Sequence, residues 1–212
     1  VFVELKGGET RPMGISLSDT MEPILVLDNY DSFTYNLVHL LESVSDQPVV
    51  VRRNDAIRPE DLPGFERLLL SPGPGLPAES GRLLEILHQV PHTMPVLGVC
   101  LGMQALAQHS GGTLFQLPLV QHGIEAIIRV YRKADRCGLY QNLPDSLTVG
   151  RYHSWMVTEQ SLPHEWEITA RDEQGRIMSI THRQNPWQGV QFHPESVMTP
   201  NGKQLIQNWL VQ

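Results

Sequence analysis

Three short apolar runs constrain this chain more than any other feature: Ile24-Leu25-Val26-Leu27, Leu68-Leu69-Leu70 and Val96-Leu97-Gly98-Val99. Each is too short for a helix and is stopped by turn-forming or small residues, the pattern of a strand buried on both faces. Residues 48–52, with Val49-Val50-Val51 at their centre, read as a further strand. Between the runs the period changes. Residues 33–44 place Phe33, Leu37, Leu40, Leu41 and Val44 at helical spacing, with Ser32 as the expected N-cap. Residues 79–90 repeat it through Leu83, Leu84, Ile86, Leu87 and Val90, and a third helix runs from Cys100-Leu101 to His109, ended by Gly111-Gly112. Strands alternating with helices imply crossover connections and a parallel sheet covered on both faces.

After residue 120 the character changes. Residues 123–130, 147–152, 167–170, 176–182 and 189–192 are short strand candidates separated by turns such as Asp172-Glu173-Gln174-Gly175, several of them antiparallel. Residues 202–210 form a last helix, with Leu205, Ile206, Trp209 and Leu210 on its apolar face. The expected fold is therefore α/β: an open, mostly parallel sheet with helices on both faces, plus a small antiparallel sheet.

Periodicity begins only at Met21, so residues 1–20 read as an extension or linker and 21–212 as the domain. The competing reading of the start is an added edge strand through Val1-Phe2-Val3-Glu4-Leu5. Residues 1–20 carry Glu4, Lys6, Glu9, Arg11 and Asp19 and lack the apolar core of a secretory signal. Hydrophobic residues at 41% and charged residues at 18% exclude a disordered chain. No apolar run reaches the roughly 18 residues of a membrane span. A net charge of -7 with no basic block argues against nucleic acid as a partner. Two cysteines, Cys100 and Cys137, make no disulfide framework and point to a reducing, cytoplasmic setting.

The chemistry concentrates in three segments. In Gly98-Val99-Cys100-Leu101-Gly102 a strand ends, one residue turns and a helix begins, with glycines two before and two after the cysteine. That is the spacing of a nucleophile elbow, in which larger residues at the glycine positions would crowd the turn. Cys100 would stand clear at the carboxyl end of the sheet, where open α/β sheets bind ligands. The helix start would place partial positive charge beside its sulfur, and the Leu101 N–H would be free to face an oxyanion. The competing reading is a small core cysteine between packing glycines. In Gln191-Phe192-His193-Pro194-Glu195 a strand delivers His193 to its end. Glu195 lies two residues on, able to reach the same side and hold the imidazole. Cys, His and Glu together would supply nucleophile, base and orienting group; the alternative is a surface turn with an incidental His and Glu. In Ser71-Pro72-Gly73-Pro74-Gly75-Leu76-Pro77, prolines stiffen a loop whose glycines leave its backbone bare for a ligand. The alternative there is a rigid connector. No metal-ligand spacing stands out, and no cofactor is expected.

Together these segments resemble the class I glutamine amidotransferases over nearly the whole of residues 24–210. Within that family they are most similar to the glutaminase subunits of anthranilate synthase and aminodeoxychorismate synthase. The resemblance is carried by the three segments, by Asp28-Asn29-Tyr30-Asp31-Ser32-Phe33-Thr34-Tyr35-Asn36-Leu37, and by Arg151-Tyr152-His153-Ser154. It implies Cys100 as nucleophile with His193 and Glu195 as its triad partners. It also implies Gly73, Pro74, Gly75 and Leu101 around the glutamine and its oxyanion, and Gln104, Ser154 and Trp155 as glutamine-binding positions. His153 is expected to fix the segment before Ser154. Two positions depart from the family pattern: Met103 stands where relatives usually carry His, and Ile124 where they usually carry Lys.

What the resemblance implies is hydrolysis of L-glutamine to glutamate and ammonia through a thioester. The ammonia would pass to a chorismate-binding synthase subunit (component I) held in a hetero-oligomer. The product would be anthranilate, on the way to tryptophan, or aminodeoxychorismate, on the way to folate; residues 53–56 and 180–184 lean slightly toward the folate branch. Two other readings stand beside it: a stand-alone γ-glutamyl hydrolase on the same fold, and a non-catalytic regulatory subunit that keeps only the docking surface.

Overall fold

The computed structural model describes residues 2–4, 10–12 and 22–212. β1 (Phe2–Glu4) pairs antiparallel with β2 (Thr10–Pro12) as a separate two-stranded sheet. The described part of the start therefore does not add an edge strand to the main sheet; the remainder of 1–20 lies outside the described residues.

Among the described residues the main sheet has nine strands. Its first half is the one the apolar runs predict: β3 (Ile24–Asp28), β4 (Val49–Arg53), β5 (Arg67–Leu70) and β6 (Val96–Val99). β3 lies between β4 and β5, and β6 pairs with β5, all parallel. β6 also pairs in parallel with β11 (Trp187–Val190), which arrives from the far end of the chain. Beyond β11 the pairings become antiparallel, through β10 (Ile177–His182), β9 (Trp166–Asp172), β7 (Leu114–Val130) and β8 (Ser146–Val157).

This corrects the expectation of a mostly parallel sheet beside a small antiparallel one. The antiparallel strands continue the same sheet, because β10 pairs with the side of β11 that β6 leaves free and so covers what would be an open edge. β7 and β8 are also longer than the sequence patterns show. Pro118 lies in a register shift between Gln116 and Gln121, and Gly123 has φ +65 at a second shift. These interruptions hide one long strand as fragments.

Helices cover both faces, as expected. α1 (Thr34–Glu42) and α4 (Gly202–Leu210) bury Leu37, Leu41, Leu205, Ile206 and Trp209 with Ile24, Val26, Leu69, Leu97 and Val99. α2 (Leu83–Leu87) and α3 (Leu101–His109) pack with the alternate residues Leu25, Leu27, Leu68, Leu70 and Val96. Successive strand residues thus enter opposite layers, as the strand period requires. Burial of each such side chain is worth about 1.5–3 kcal/mol.

Two local expectations fail. α2 is shorter than residues 79–90, because Gly81 adopts φ +54 between it and a short 3-10 turn (Pro77–Glu79); a Cβ at Gly81 would come within 2.5 Å of Asn54 Oδ1. Ser32 does not cap α1. Instead Asp31 Oδ1 accepts from the Phe33 N–H at 2.7 Å, and Asp28 Oδ1 accepts from the Thr34 hydroxyl at 2.9 Å.

Candidate active site

β6 ends at Val99 and α3 begins at Leu101, so Cys100 is the whole connection, with φ 53 and ψ -101. A positive φ is costly for a residue with a Cβ and persists only where the surroundings enforce it. Here the enforcement is visible. A Cβ on Gly98 would lie 2.5 Å from the Gly102 carbonyl carbon, and one on Gly102 would lie 2.6 Å from the Leu70 oxygen. Strand and helix meet backbone to backbone, which only glycine permits. The Cys100 N–H donates to the Val190 oxygen at 2.8 Å, tying the turn to β11. Leu101 is buried and occupies the first turn of α3, where helix N–H groups lack partners within the helix.

The loop after β5 is drawn toward this turn. A Cβ on Gly73 would meet Leu101 Cδ2 at 2.5 Å and Asn29 Cβ at 2.8 Å. Gly75 has φ +72. The Asn29 N–H donates to Ser71 Oγ, and Asn29 Nδ2 to the Ser71 oxygen, both at 2.9 Å. The Asp28-Asn29 end of β3 thereby holds the start of the 71–77 loop.

His193 comes from the segment following β11. Its N–H donates to the Gly150 oxygen at 3.0 Å, and its oxygen accepts from the Thr199 hydroxyl at 2.7 Å. The imidazole lies between rings, with Tyr152 at 4.9 Å and Phe33 at 5.8 Å between centroids. Nδ1 is 2.7 Å from Glu195 Oε1, and both side chains are almost fully buried. Nε2 makes no hydrogen bond among the described residues. Burial pushes the imidazole toward neutrality, but Cys100 and the Glu195 carboxylate more than offset it, and the pKa rises from 6.5 to about 10.

A cleft of about 240 Å³ opens beside Cys100. Gly73, Pro74, Gly75, Gln104, Ser154 and Trp155 line it, so six of the glutamine positions expected from the sequence converge on one cavity with the cysteine. His193 and Glu195 do not line it. Gln116, Tyr152 and His153 do, although the sequence pattern did not mark them as ligand residues. Tyr152 and His153 lie inside the Arg151-Tyr152-His153-Ser154 motif; Gln116 lies in a stretch whose strand pattern Pro118 interrupts. Phe33 and Gln191 were likewise visible in motifs without a role. Gln191 Nε2 lies 3.6 Å from Cys100 Sγ, and Phe33 packs on His193.

His153 is buried, and neither of its ring nitrogens has a hydrogen-bond partner among the described residues. Burial, then the nearby positive charges of Arg151 and His193, pushes its pKa down to about 3, so it is a neutral imidazole at the cleft.

Both departures from the family pattern lie outside the cleft lining. Met103 is fully buried in the α2/α3 layer, where a Cβ on Gly189 would come within 2.7 Å of its Cγ. Ile124 is exposed on β7. Among the described residues no helix is long and apolar enough to cross a membrane.

Known proteins resemble this chain over most of its length. Anthranilate synthase component 2 of Cyanophora paradoxa is 42% identical over 88% of this chain and 97% of its own length. Aminodeoxychorismate/anthranilate synthase component 2 of Bacillus subtilis is 40% identical over 88% of this chain and 95% of its own. Aminodeoxychorismate synthase component 2 of Escherichia coli is 42% identical over 88% and 98%. A solved structure from Thermoplasma acidophilum, described as a GMP synthase subunit, superposes with a TM-score of 0.79 at 25% identity, covering 90% of this chain and 93% of that one. Residues 25–212 match the family model for glutamine amidotransferase class-I, and the chain belongs to that family of enzymes.

Proposed function

We propose that the chain is the glutaminase subunit of a chorismate-amidating synthase, with Cys100 as nucleophile at an elbow and His193 and Glu195 completing a triad. The observation that carries this reading is the convergence of the positive-φ Cys100, the 73–75 loop, Ser154 and Trp155 on one cleft, with a Glu195-held imidazole contributed from beyond β11.

Glutamine enters the cleft with its side-chain amide toward Cys100. The sulfur attacks the amide carbon, and the oxyanion is held by N–H groups at Leu101 and the 73–75 loop. The imidazolium of His193 gives its proton to the departing nitrogen, so ammonia leaves and a glutamyl thioester remains. The raised pKa of His193 suits this step, since Cys100 and Glu195 keep the proton in place until the sulfur is used. Once acylated, the sulfur no longer carries charge, one of the raising influences vanishes, and the neutral imidazole takes a proton from water. Hydroxide adds to the thioester, glutamate leaves, and the thiolate–imidazolium pair is restored. No cofactor takes part. A thiol nucleophile suits a reducing compartment, in keeping with the cytoplasm.

The partner is a chorismate-binding component I, because the relatives with matching full-length sequences are named as second components of such synthases. Tyr30 and Tyr35, beside the carboxyl end of β3, and Leu119, Val120 and Ile124, on the part of β7 next to the cleft, are exposed. Large apolar side chains so placed suit a covered surface. Ammonia released there passes to the partner. The relatives carry the names of both the anthranilate and the aminodeoxychorismate branches, and we assign the chain to the pair rather than to one of them.

The decisive experiment is Cys100→Ala in the complex. Glutamine-dependent amination of chorismate is lost while ammonia-dependent amination persists. Equal loss of both sinks the division of labour; cleavage of γ-glutamyl peptides by the isolated chain would instead support a stand-alone hydrolase.

A further inference from the structure

Gln191 is fully buried beside the nucleophile, yet the triad chemistry gives it no task. Resting on the reading of Cys100 as nucleophile, we propose that Gln191 is a positioning residue: its side-chain amide donates to the Cys100 sulfur and couples that sulfur to the strand that binds glutamine.

Its place follows from sheet register. β6 and β11 run in parallel with Gly98 opposite Gly189 and Val99 opposite Val190, so the next residues, Cys100 and Gln191, leave the sheet side by side. Gln191 Nε2 lies 3.6 Å from Cys100 Sγ, within the reach of a hydrogen bond to sulfur. The polarity of the amide is set by its neighbours. The Trp155 backbone oxygen can only accept, and it takes a hydrogen bond from Gln104 Nε2 at 2.8 Å. That fixes the nitrogen of Gln104. The same nitrogen lies 3.1 Å from Gln191, so the atom it meets must be an acceptor, Oε1. Nε2 of Gln191 is then the atom turned to the sulfur. The result is a relay from Trp155 through Gln104 and Gln191 to Cys100. Trp155 and Gln104 both line the cleft, so glutamine binding presses on the relay at its far end.

An apolar side chain would fill this position without the cost of burying an amide. The glutamine is explained if its donor steadies negative charge on the sulfur. A donor to a charged acceptor changes the balance by about tenfold or more.

The test uses the full chain with Gln191→Met, which removes the donor, and the isosteric Gln191→Glu, which replaces it with an acceptor. Alkylation of Cys100 by iodoacetamide is followed by mass spectrometry across pH, without glutamine, and glutamate release is measured separately. Gln191→Met is expected to slow alkylation about tenfold at neutral pH, move its pH profile upward, and lower kcat by a larger factor than it raises KM for glutamine, which rises because Gln104 loses its acceptor. Gln191→Glu is expected to show a larger loss at neutral pH that eases as the carboxyl gains a proton, and it carries the test if the methionine variant does not fold. Unchanged alkylation rates and profiles in the folded variants overturn the proposal. Glutamine hydrolysis that survives Cys100→Ala overturns the nucleophile reading instead, and leaves the alkylation result to be judged on its own.

Discussion

The two halves of the sheet are built on different terms. From β4 to β11 the strands are parallel and short, and all but the edge strand β4 are buried on both faces; from β11 to β8 they are antiparallel, longer and interrupted. In the first half the backbone packs so closely that Gly98 and Gly102 have no room for a methyl group. In the second, Gly175 sits in the turn between β9 and β10, where an added Cβ would meet nothing within 4 Å, and only its φ of +78 calls for glycine. Substitutions are therefore expected to be tolerated better at Gly175 than at Gly98 or Gly102. The parallel half holds one cysteine in a forced conformation. The antiparallel half presents Tyr152, Ser154 and Trp155 to the same cleft from a surface that bulges and bends.

The largest effect expected is at the join of the halves. Cys100→Ala is expected to abolish glutamine-dependent synthesis altogether, while Ser154→Ala on β8 is expected to lower it by a smaller factor, because it trims one hydroxyl from the cleft wall and leaves the nucleophile in place; steady-state kinetics on the complex separates the two. Next comes Glu195→Gln, expected to lower kcat by about 100-fold through loss of the group that orients His193. It also moves the titration of His193. Burial alone drives an imidazole below 6.5, and Cys100 and Glu195 raise it to about 10, so removing either partner lowers the value. Imidazole NMR across pH reads this directly. A His193 signal that titrates unchanged in Glu195→Gln contradicts the role given to the carboxylate.

Gly102→Ala forces a methyl group against the Leu70 backbone and is expected to cost about 1–3 kcal/mol in urea unfolding. Gly175→Ala meets open space and loses only the φ preference, about 1–2 kcal/mol at most. Should Gly175→Ala prove the more damaging, the backbone contact at Gly102 is not what makes the strand-to-helix join intolerant of a side chain. The smallest change is at Ile124, exposed on β7: Ile124→Lys is expected to shift stability by no more than about 0.5 kcal/mol. Any larger consequence should appear in the affinity for component I, measured by titration of the two subunits.

How far the sequence could be read follows the same division. Ile24 to Leu27, Leu68 to Leu70 and Val96 to Val99 announced their strands because a strand buried on both faces is apolar throughout, whatever its neighbours. The Gly98, Cys100, Gly102 spacing announced a turn for an equally local reason. The long β7 and β8 were legible only in fragments, since Pro118 and Gly123 break the pattern that their pairing restores. Ser32 is a plausible cap from sequence, but Asp31 takes the Phe33 N–H and Asp28 takes the Thr34 hydroxyl.

By itself, then, the chain's sequence determined the parallel core, the strand-to-helix turn at Cys100 and the choice of residues able to perform thiol chemistry, because those depend on contacts between near neighbours and on side-chain type. The pairing of β11 with β6, the extension of one sheet by the antiparallel strands, and the approach of Gln191 to a cysteine 91 positions earlier were settled by the folded arrangement alone. Pairings over that distance are chosen by the whole set of competing strands at once, and no local period carries them.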